Sequence, residues 1–343
     1  MGRGIMSHLY RMGVVGGLFF RLASASNVLV MTDFDAQQYH AVETRMIQER
    51  IASGLRAVGP GGRLIFVQGY ASRSQAALER FGREPRITLI PHDPRGLKAY
   101  PWIRDEIAGF NRSTHAFVRS DANNPPGWID SVFEALSQSD PVTEAVAVPW
   151  GNMIENGKGL CLVSDADLDS DERGVLRAVY AKRMGCTRVL IVPYESVPHP
   201  NDHLDLYAQF VAEDALVLSS VPQDCDGDVS VWVRSKLRLL EAFFGEQLPD
   251  VRILRVPFAA CPTIQEGFPD EPVHVELLSY ANLVSFEEAI LLPDYVGMDG
   301  ESDFSKIRDL LRDQTGKTVE RFPVPVEQAR SGGSLRCLTW DGS

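Results

Sequence analysis

The sequence predicts an α/β (α+β) fold, and three observations carry that expectation. Short apolar runs rich in Val, Ile and Leu recur along the 343 residues, stretches with helical spacing lie between them, and Gly, Pro, Asn and Asp clusters separate the two. Hydrophobic residues make up 44% and charged residues 23%, which excludes a disordered or fibrous chain. A chain this long buries roughly 75% of its unfolded surface, enough for a large core.

Val28–Met31 (VLVM) opens the series as a strand. Thr32-Asp33-Phe34-Asp35 then offers capping oxygens to a helical stretch that runs to about Val58 and stops at Pro60-Gly61-Gly62. RLIFVQ at 63–68 and RITLI at 86–90 read as buried strands flanking a shorter helix near 72–82. Further helices are expected at 128–138, 171–184, 229–244 and 302–314, the last with Phe304, Ile307, Leu310 and Leu311 on one face. Strands are expected at VAVP (146–149), LCLV (160–163), RVLIV (188–192), YAQFV (207–211), ALVLS (215–219), VRILRV (251–256) and AILLP (289–293). No low-complexity linker divides the chain and no repeat shows in the letters, so residues 27–343 read as a single domain. Residues 1–26 read as an N-terminal extension: basic, briefly apolar and rich in small residues like a signal peptide, but interrupted by Arg21.

Charge and cysteine usage narrow the partners. A net charge of −12, a pI near 5.1 and the lack of a dense Lys/Arg run argue against nucleic acid, and suit a neutral or cationic small substrate. No run of about 18 apolar residues is present to span a membrane. The five cysteines are odd in number, far apart and without a C-x-x-C pair, which predicts neither a disulfide framework nor a zinc knuckle. A cytoplasmic, reducing location is therefore expected, with secretion as the lesser alternative. Nothing in the sequence bars a homo-oligomer.

Common catalytic motifs are missing. In GNMIENGKG (151–159) the glycines Gly151 and Gly157 are six apart and no Ser or Thr follows Lys158, so it is not a phosphate loop. There is no G-x-S-x-G elbow and no H-E-x-x-H helix.

Three polar segments remain. Tyr100-Pro101-Trp102-Ile103-Arg104-Asp105-Glu106 puts an aromatic, a cation and two carboxylates at a loop edge. His203 and Asp205 precede an apolar strand, and in extended geometry residues i and i+2 face the same way. Both are also metal-ligand types, yet no third ligand completes a set in sequence. Near the C-terminus, Gly332-Gly333-Ser334-Leu335-Arg336-Cys337 reads as a tight loop presenting a thiol, with Arg336 favouring its thiolate. A thiol nucleophile, an imidazole and two carboxylates together match a guanidinium: carboxylates hold the cationic fork, the thiolate attacks its carbon, and the histidine protonates the departing nitrogen.

In order and spacing these segments resemble the agmatine deiminase and bacterial peptidylarginine deiminase family, within the guanidino-group-modifying (pentein) superfamily. PWIRD at 101–105 is similar to the family's W-x-R-D, which implies Asp105 as a guanidinium clamp and Trp102 and Arg104 as substrate neighbours. HLDLYAQFV at 203–211 resembles H-x-D before a strand, implying His203 as general acid/base and Asp205 as the second clamp. WGNMIENGKG resembles the G-G-N turn, bringing Asn152 to the site; SYANLVSF at 279–286 resembles an S-Y-x-N strand, bringing Asn282; and GGSLRC resembles the terminal loop, with Gly332 and Gly333 near substrate and Cys337 as nucleophile.

The resemblance implies a pseudo-fivefold propeller of ββαβ units that needs no metal or cofactor. Its reaction would be hydrolysis of arginine, agmatine or a peptidyl or modified arginine through a Cys thiouronium. Amidinotransfer from the same intermediate, or a non-catalytic pentein binding a cationic ligand or protein, are the alternatives. The chain departs from the family pattern at Glu106-Ile107-Ala108, at Pro149-Trp150 and at Arg336, where many members carry His before the cysteine. Arg112 and Arg119 are candidates to anchor a substrate carboxylate or peptide carbonyl.

Overall fold

The computed structural model describes residues 27–32, 44–67, 76, 78–81, 84–90, 107–111, 116–120, 129–137, 142–146, 150–164, 170–193, 203–265, 274–298, 301–330 and 333–341. The expected extension at 1–26 and most of the helix expected near 72–82 lie outside them.

One structural plan recurs. Strands β4 (Ile107–Asn111), β5 (Ala116–Ser120) and β6 (Val142–Val146) form a sheet in which β4 and β5 are antiparallel and β5 and β6 parallel, with helix Ile129–Ser137 between the parallel pair. The same order holds for β7 (Met153–Glu155), β8 (Leu160–Ser164) and β9 (Arg188–Val192), joined across Ser170–Arg183. It holds again for β10 (Ala208–Ala212), β11 (Ala215–Ser220) and β12 (Arg252–Pro257), joined across Asp228–Gln247. A fourth instance is β15 (Val284–Ser285), β16 (Ala289–Val296) and β17 (Thr318–Pro325), joined across Glu301–Thr315. Parallel neighbours cannot be joined by a tight hairpin, so each parallel pair takes a helical crossover. Strands β13 (Thr263–Gln265) and β14 (His274–Glu276) make a separate antiparallel pair.

The remaining sheet assembles the plan from distant segments. Strand β1 (Val28–Thr32) runs parallel to β2 (Arg63–Val67) across helix α1 (Thr44–Ala57), and β2 runs parallel to β3 (Ile87–Ile90). The antiparallel neighbour of β1 is β18 (Thr339–Asp341), with Met31 opposite Thr339. Residues just after Cys337 are thereby stitched to the first described strand. In chain order the α-helices whose full range is described are α1, α2 (Ile129–Ser137), α3 (Ser170–Arg183), α4 (Asp228–Gln247), α5 (Glu301–Thr315) and α6 (Val326–Arg330).

The main core runs through the segments that hold the C-terminal loop. Ile47, Ile51 and Leu55 recur every fourth residue on α1 and pack with Leu29, Met31, Leu64 and Phe66, while Leu335 and Leu338 bury into the same cluster. Gly54 lets α1 lie close to this sheet: a Cβ there would sit 2.7 Å from Leu64 Cδ1 and 2.8 Å from Leu29 Cδ2. The buried Arg50 of α1 donates from Nε to the Pro323 carbonyl (2.8 Å) and from Nη2 to Gln328 Oε1 (2.9 Å), tying α1 to β17 and α6.

Several expectations need correction. The strand expected from Val146 begins earlier, at Val142, where Phe117 pairs with Val142 and Val118 with Thr143; residues 147–149 are outside the described set. The S-Y-x-N segment is a turn: Asn282 N–H bonds to the Ser279 carbonyl (3.3 Å) and Leu283 N–H to the Ala281 carbonyl (2.8 Å). Four cysteines, expected to be thiols, are paired as Cys161–Cys186 and Cys225–Cys261. Each disulfide staples a β-α-β crossover, Cys161 on β8 to the turn before β9, and Cys225 before α4 to Cys261 after β12. Their separations of 25 and 36 residues carry no sequence signal because only the crossover brings the partners together.

Candidate active site

The loop bearing Cys337 is packed on every side. Residues 333–339 are buried, and the turn closes through Leu338 N–H to the Ser334 carbonyl (3.1 Å) and Thr339 Oγ1 to the Leu335 carbonyl (2.9 Å). Tyr295 of β16 donates to the Ser279 carbonyl (2.7 Å), so Ser334 Oγ donates in its 2.8 Å contact with the Tyr295 hydroxyl. One phenol thus joins the 279–282 turn to the 333–338 loop. Burial pushes that phenol above its ordinary range, against a smaller lowering by the Ser334 hydrogen bond, so it stays neutral.

Asn282 sits at the centre. Its Oδ1 accepts the Arg336 backbone N–H (2.7 Å), and its Nδ2 reaches the Asp205 carbonyl (3.3 Å) and Cys337 Sγ (3.4 Å). The sulfur is also 3.9 Å from Asp205 Oδ2. Asp205 is fully buried; its Oδ2 accepts from Arg336 Nη1 (3.0 Å), and Arg336 Nη2 donates to the Met153 carbonyl (3.2 Å). Asp205 Oδ1 is buried with no hydrogen-bond partner among the described residues. A buried carboxylate oxygen left unpaired is costly, and it marks a place for a donor from outside.

His203 and Asp205 do not lie in the extended geometry the sequence predicted. His203 itself is extended (φ −79°, ψ 147°), but Leu204–Leu206 turn through one 3₁₀ helix, closed by Leu206 N–H to the His203 carbonyl and Tyr207 N–H to the Leu204 carbonyl. Asn152 drives this: its Oδ1 accepts the Leu204 N–H (3.2 Å) and pulls the chain into the turn. The imidazole lies over Gly151, where an added Cβ would be 2.0 Å from Nδ1.

Of the sequence-predicted site residues, Cys337, Asp205 and Asn282 are in direct contact, His203 and Asn152 flank them through the 3₁₀ turn, and Gly333 lies in the buried loop. Trp102, Arg104, Asp105, Arg112 and Gly332 lie outside the described residues, as does the Arg119 side chain. The sequence reading did not foresee the Arg336–Asp205 pair, nor Tyr295 and Ser334. Among the described residues no three His, Cys, Asp or Glu side chains gather as a metal-binding group, and no helix is long and apolar enough to cross a membrane.

The model of the Porphyromonas-type peptidyl-arginine deiminase family matches residues 119–342, most of the chain. The chain belongs to that family. No curated protein matches this member in sequence. Solved structures similar to it include C. jejuni agmatine deiminase, at 14% identity over 92% of each chain with a TM-score of 0.64. A Cys-to-Ser form of the same enzyme with substrate bound is similar at 13% identity, 92% of each chain and 0.63. The agmatine deiminase of Enterococcus faecalis is similar at 12%, 92% of each chain and 0.62. At these identities the likeness is one of fold, the mixed α/β pentein fold.

Proposed function

We propose that this deiminase-family member hydrolyses the guanidino group of an arginine-like compound with Cys337 as nucleophile. The observation that carries the reading is the contact of Cys337 Sγ with Asn282 and a buried Asp205 carboxylate that keeps one oxygen unpaired. Sγ attacks the guanidinium carbon, and the C–N bond to the terminal nitrogen breaks as His203 protonates it, releasing ammonia and leaving an S-alkylthiouronium. Water, giving a proton to His203, then attacks that carbon; the C–S bond breaks, the thiolate returns and a ureido product leaves. Asp205, with Asp105 as second clamp, accepts the guanidinium N–H groups and holds the planar cation for attack. Asn282 donates to the sulfur and steadies its thiolate. No cofactor enters these steps.

The five helical crossovers support a pseudo-fivefold arrangement of ββαβ units over residues 27–343, with the site where the 203–206, 279–283 and 333–338 turns meet. The substrate class spans arginine, agmatine, methylated arginine and arginyl peptide. Two disulfides favour maturation in an oxidising compartment over the cytoplasm expected from sequence. Incubation with those four compounds, following ammonia and ureido product by mass spectrometry, tests the function. At least one is turned over; loss of none of them contradicts the reading.

A further inference from the structure

The site contains a guanidinium of its own. Arg336 immediately precedes the nucleophile, is 4% exposed, and places Nη1 3.0 Å from the Asp205 oxygen that also faces Cys337 Sγ at 3.9 Å. Further hydrogen bonds fix the residue, among them the side chain on the Met153 carbonyl and the backbone N–H on Asn282 Oδ1. Without that cation, ionising Cys337 would put two negative charges less than 4 Å apart in a buried site, where like charges oppose each other strongly. Arg336 engages Asp205 through Oδ2, and Oδ1 has no hydrogen-bond partner among the described residues.

We propose that Arg336 is a built-in counter-cation: it holds Asp205 by Oδ2, leaves Oδ1 for an incoming donor, and lets Cys337 ionise before substrate arrives. It is a positioning residue that acts through Asp205. The proposal rests on Cys337 being the reacting thiol. Asp205 itself and the Tyr295 phenol, which burial keeps neutral, also face the sulfur, and His203 heads the turn that carries Asp205. A second consequence concerns charge. With Arg336 compensating Asp205, the site attracts a cation less than an uncompensated carboxylate would, so thiolate formation and cation capture are set against each other at one carboxylate.

The test uses the full chain with its disulfides intact, so that alkylation reads Cys337. The rate of iodoacetamide alkylation is followed by intact mass from pH 5 to 10 for the parent, Arg336→Gln, Arg336→Lys and Asp205→Asn, with circular dichroism checking the fold. Arg336→Gln moves the midpoint up by about one pH unit, roughly a tenfold loss of thiolate below both midpoints. Arg336→Lys recovers at least half of that shift, and Asp205→Asn moves the midpoint down. In Arg336→Gln the rate with cationic 2-chloroacetamidine relative to iodoacetamide rises, whereas disturbed packing lowers both alike. An unchanged or lower midpoint in Arg336→Gln, or a Lys variant as impaired as the Gln variant, overturns the proposal. If Arg336→Gln does not fold, Asp205→Asn decides, and a midpoint that stays or rises overturns it. Neither probe is a guanidino substrate, so a failure of hydrolysis and a failure of the counter-cation are read separately.

Discussion

The His203 imidazole occupies the space that a side chain at position 151 would take. A Cβ on Gly151 would lie 2.0 Å from Nδ1 and 2.4 Å from Cγ, far inside contact distance. Because Asn152 next door holds the Leu204 N–H, the ring has little room to retreat without unwinding the turn that carries Asp205. Gly151→Ala therefore displaces His203 rather than the backbone. A shift of about 1 Å in a catalytic group costs roughly a hundredfold in kcat. Steady-state kinetics beside a thermal melt check this: kcat falls while the melt changes little, and a variant with parental kcat shows that His203 has no fixed post.

Cysteine accounting gives a second test. Denatured without reductant, the protein takes up one alkylating group; after reduction it takes up five. Replacing Cys161 and Cys186 together by Ala and Ser costs roughly 3 kcal/mol of unfolding free energy, the scale for a loop of some 25 residues, read from urea midpoints. Uptake of five groups before reduction contradicts the pairing.

Alkaline pH probes the Tyr295 bridge. Burial pushes the Tyr280 phenol up to about 12 and the Tyr295 phenol higher still, from an ordinary value of 10.0. Above pH 10 the unfolded chain releases protons that the native chain retains, so the stabilisation, complete below pH 10, is lost progressively as pH rises toward the native values. Urea midpoints at pH 9, 10.5 and 11.5 should fall in that order. Tyr295→Phe should lower the midpoint at pH 9, because the Ser279 carbonyl and Ser334 hydroxyl lose their partner, and should flatten the alkaline decline.

How much of this was legible in the sequence follows from the range of each interaction. Runs such as RLIFV in β2, LCLVS in β8 and ALVLSS in β11 are buried nearly throughout, so their apolar letters announce them. Strand β17, TVERFPVP, was hidden by Pro323 and Pro325; among the described residues it pairs only with β16, and prolines are tolerated on such a sheet edge. The recurring plan, with its five helical crossovers among the described residues, left no trace as repeated letters because only topology and burial recur. The residues gathered at Cys337 were visible as motifs, but the Asp205–Arg336 bond spans 131 residues and depends on the fold. Its local signal was an arginine before the cysteine, which alone cannot name its partner. The 3₁₀ turn at Leu204–Leu206 escaped for the same reason, since Asn152 reaches it from 52 residues away.

The central claim is that Cys337 bonds to the guanidino carbon during turnover. The most direct measurement is an acid quench of the protein with each guanidino compound that it hydrolyses, followed by peptide mass spectrometry. The claim predicts a transient mass on the Cys337 peptide equal to substrate minus the departing ammonia, or minus the departing amine for a methylated arginine, formed and lost at rates consistent with product release, and neither adduct nor product with Cys337→Ser. Turnover by Cys337→Ser at the parental rate, or hydrolysis that never modifies Cys337 at any quench time, would contradict it.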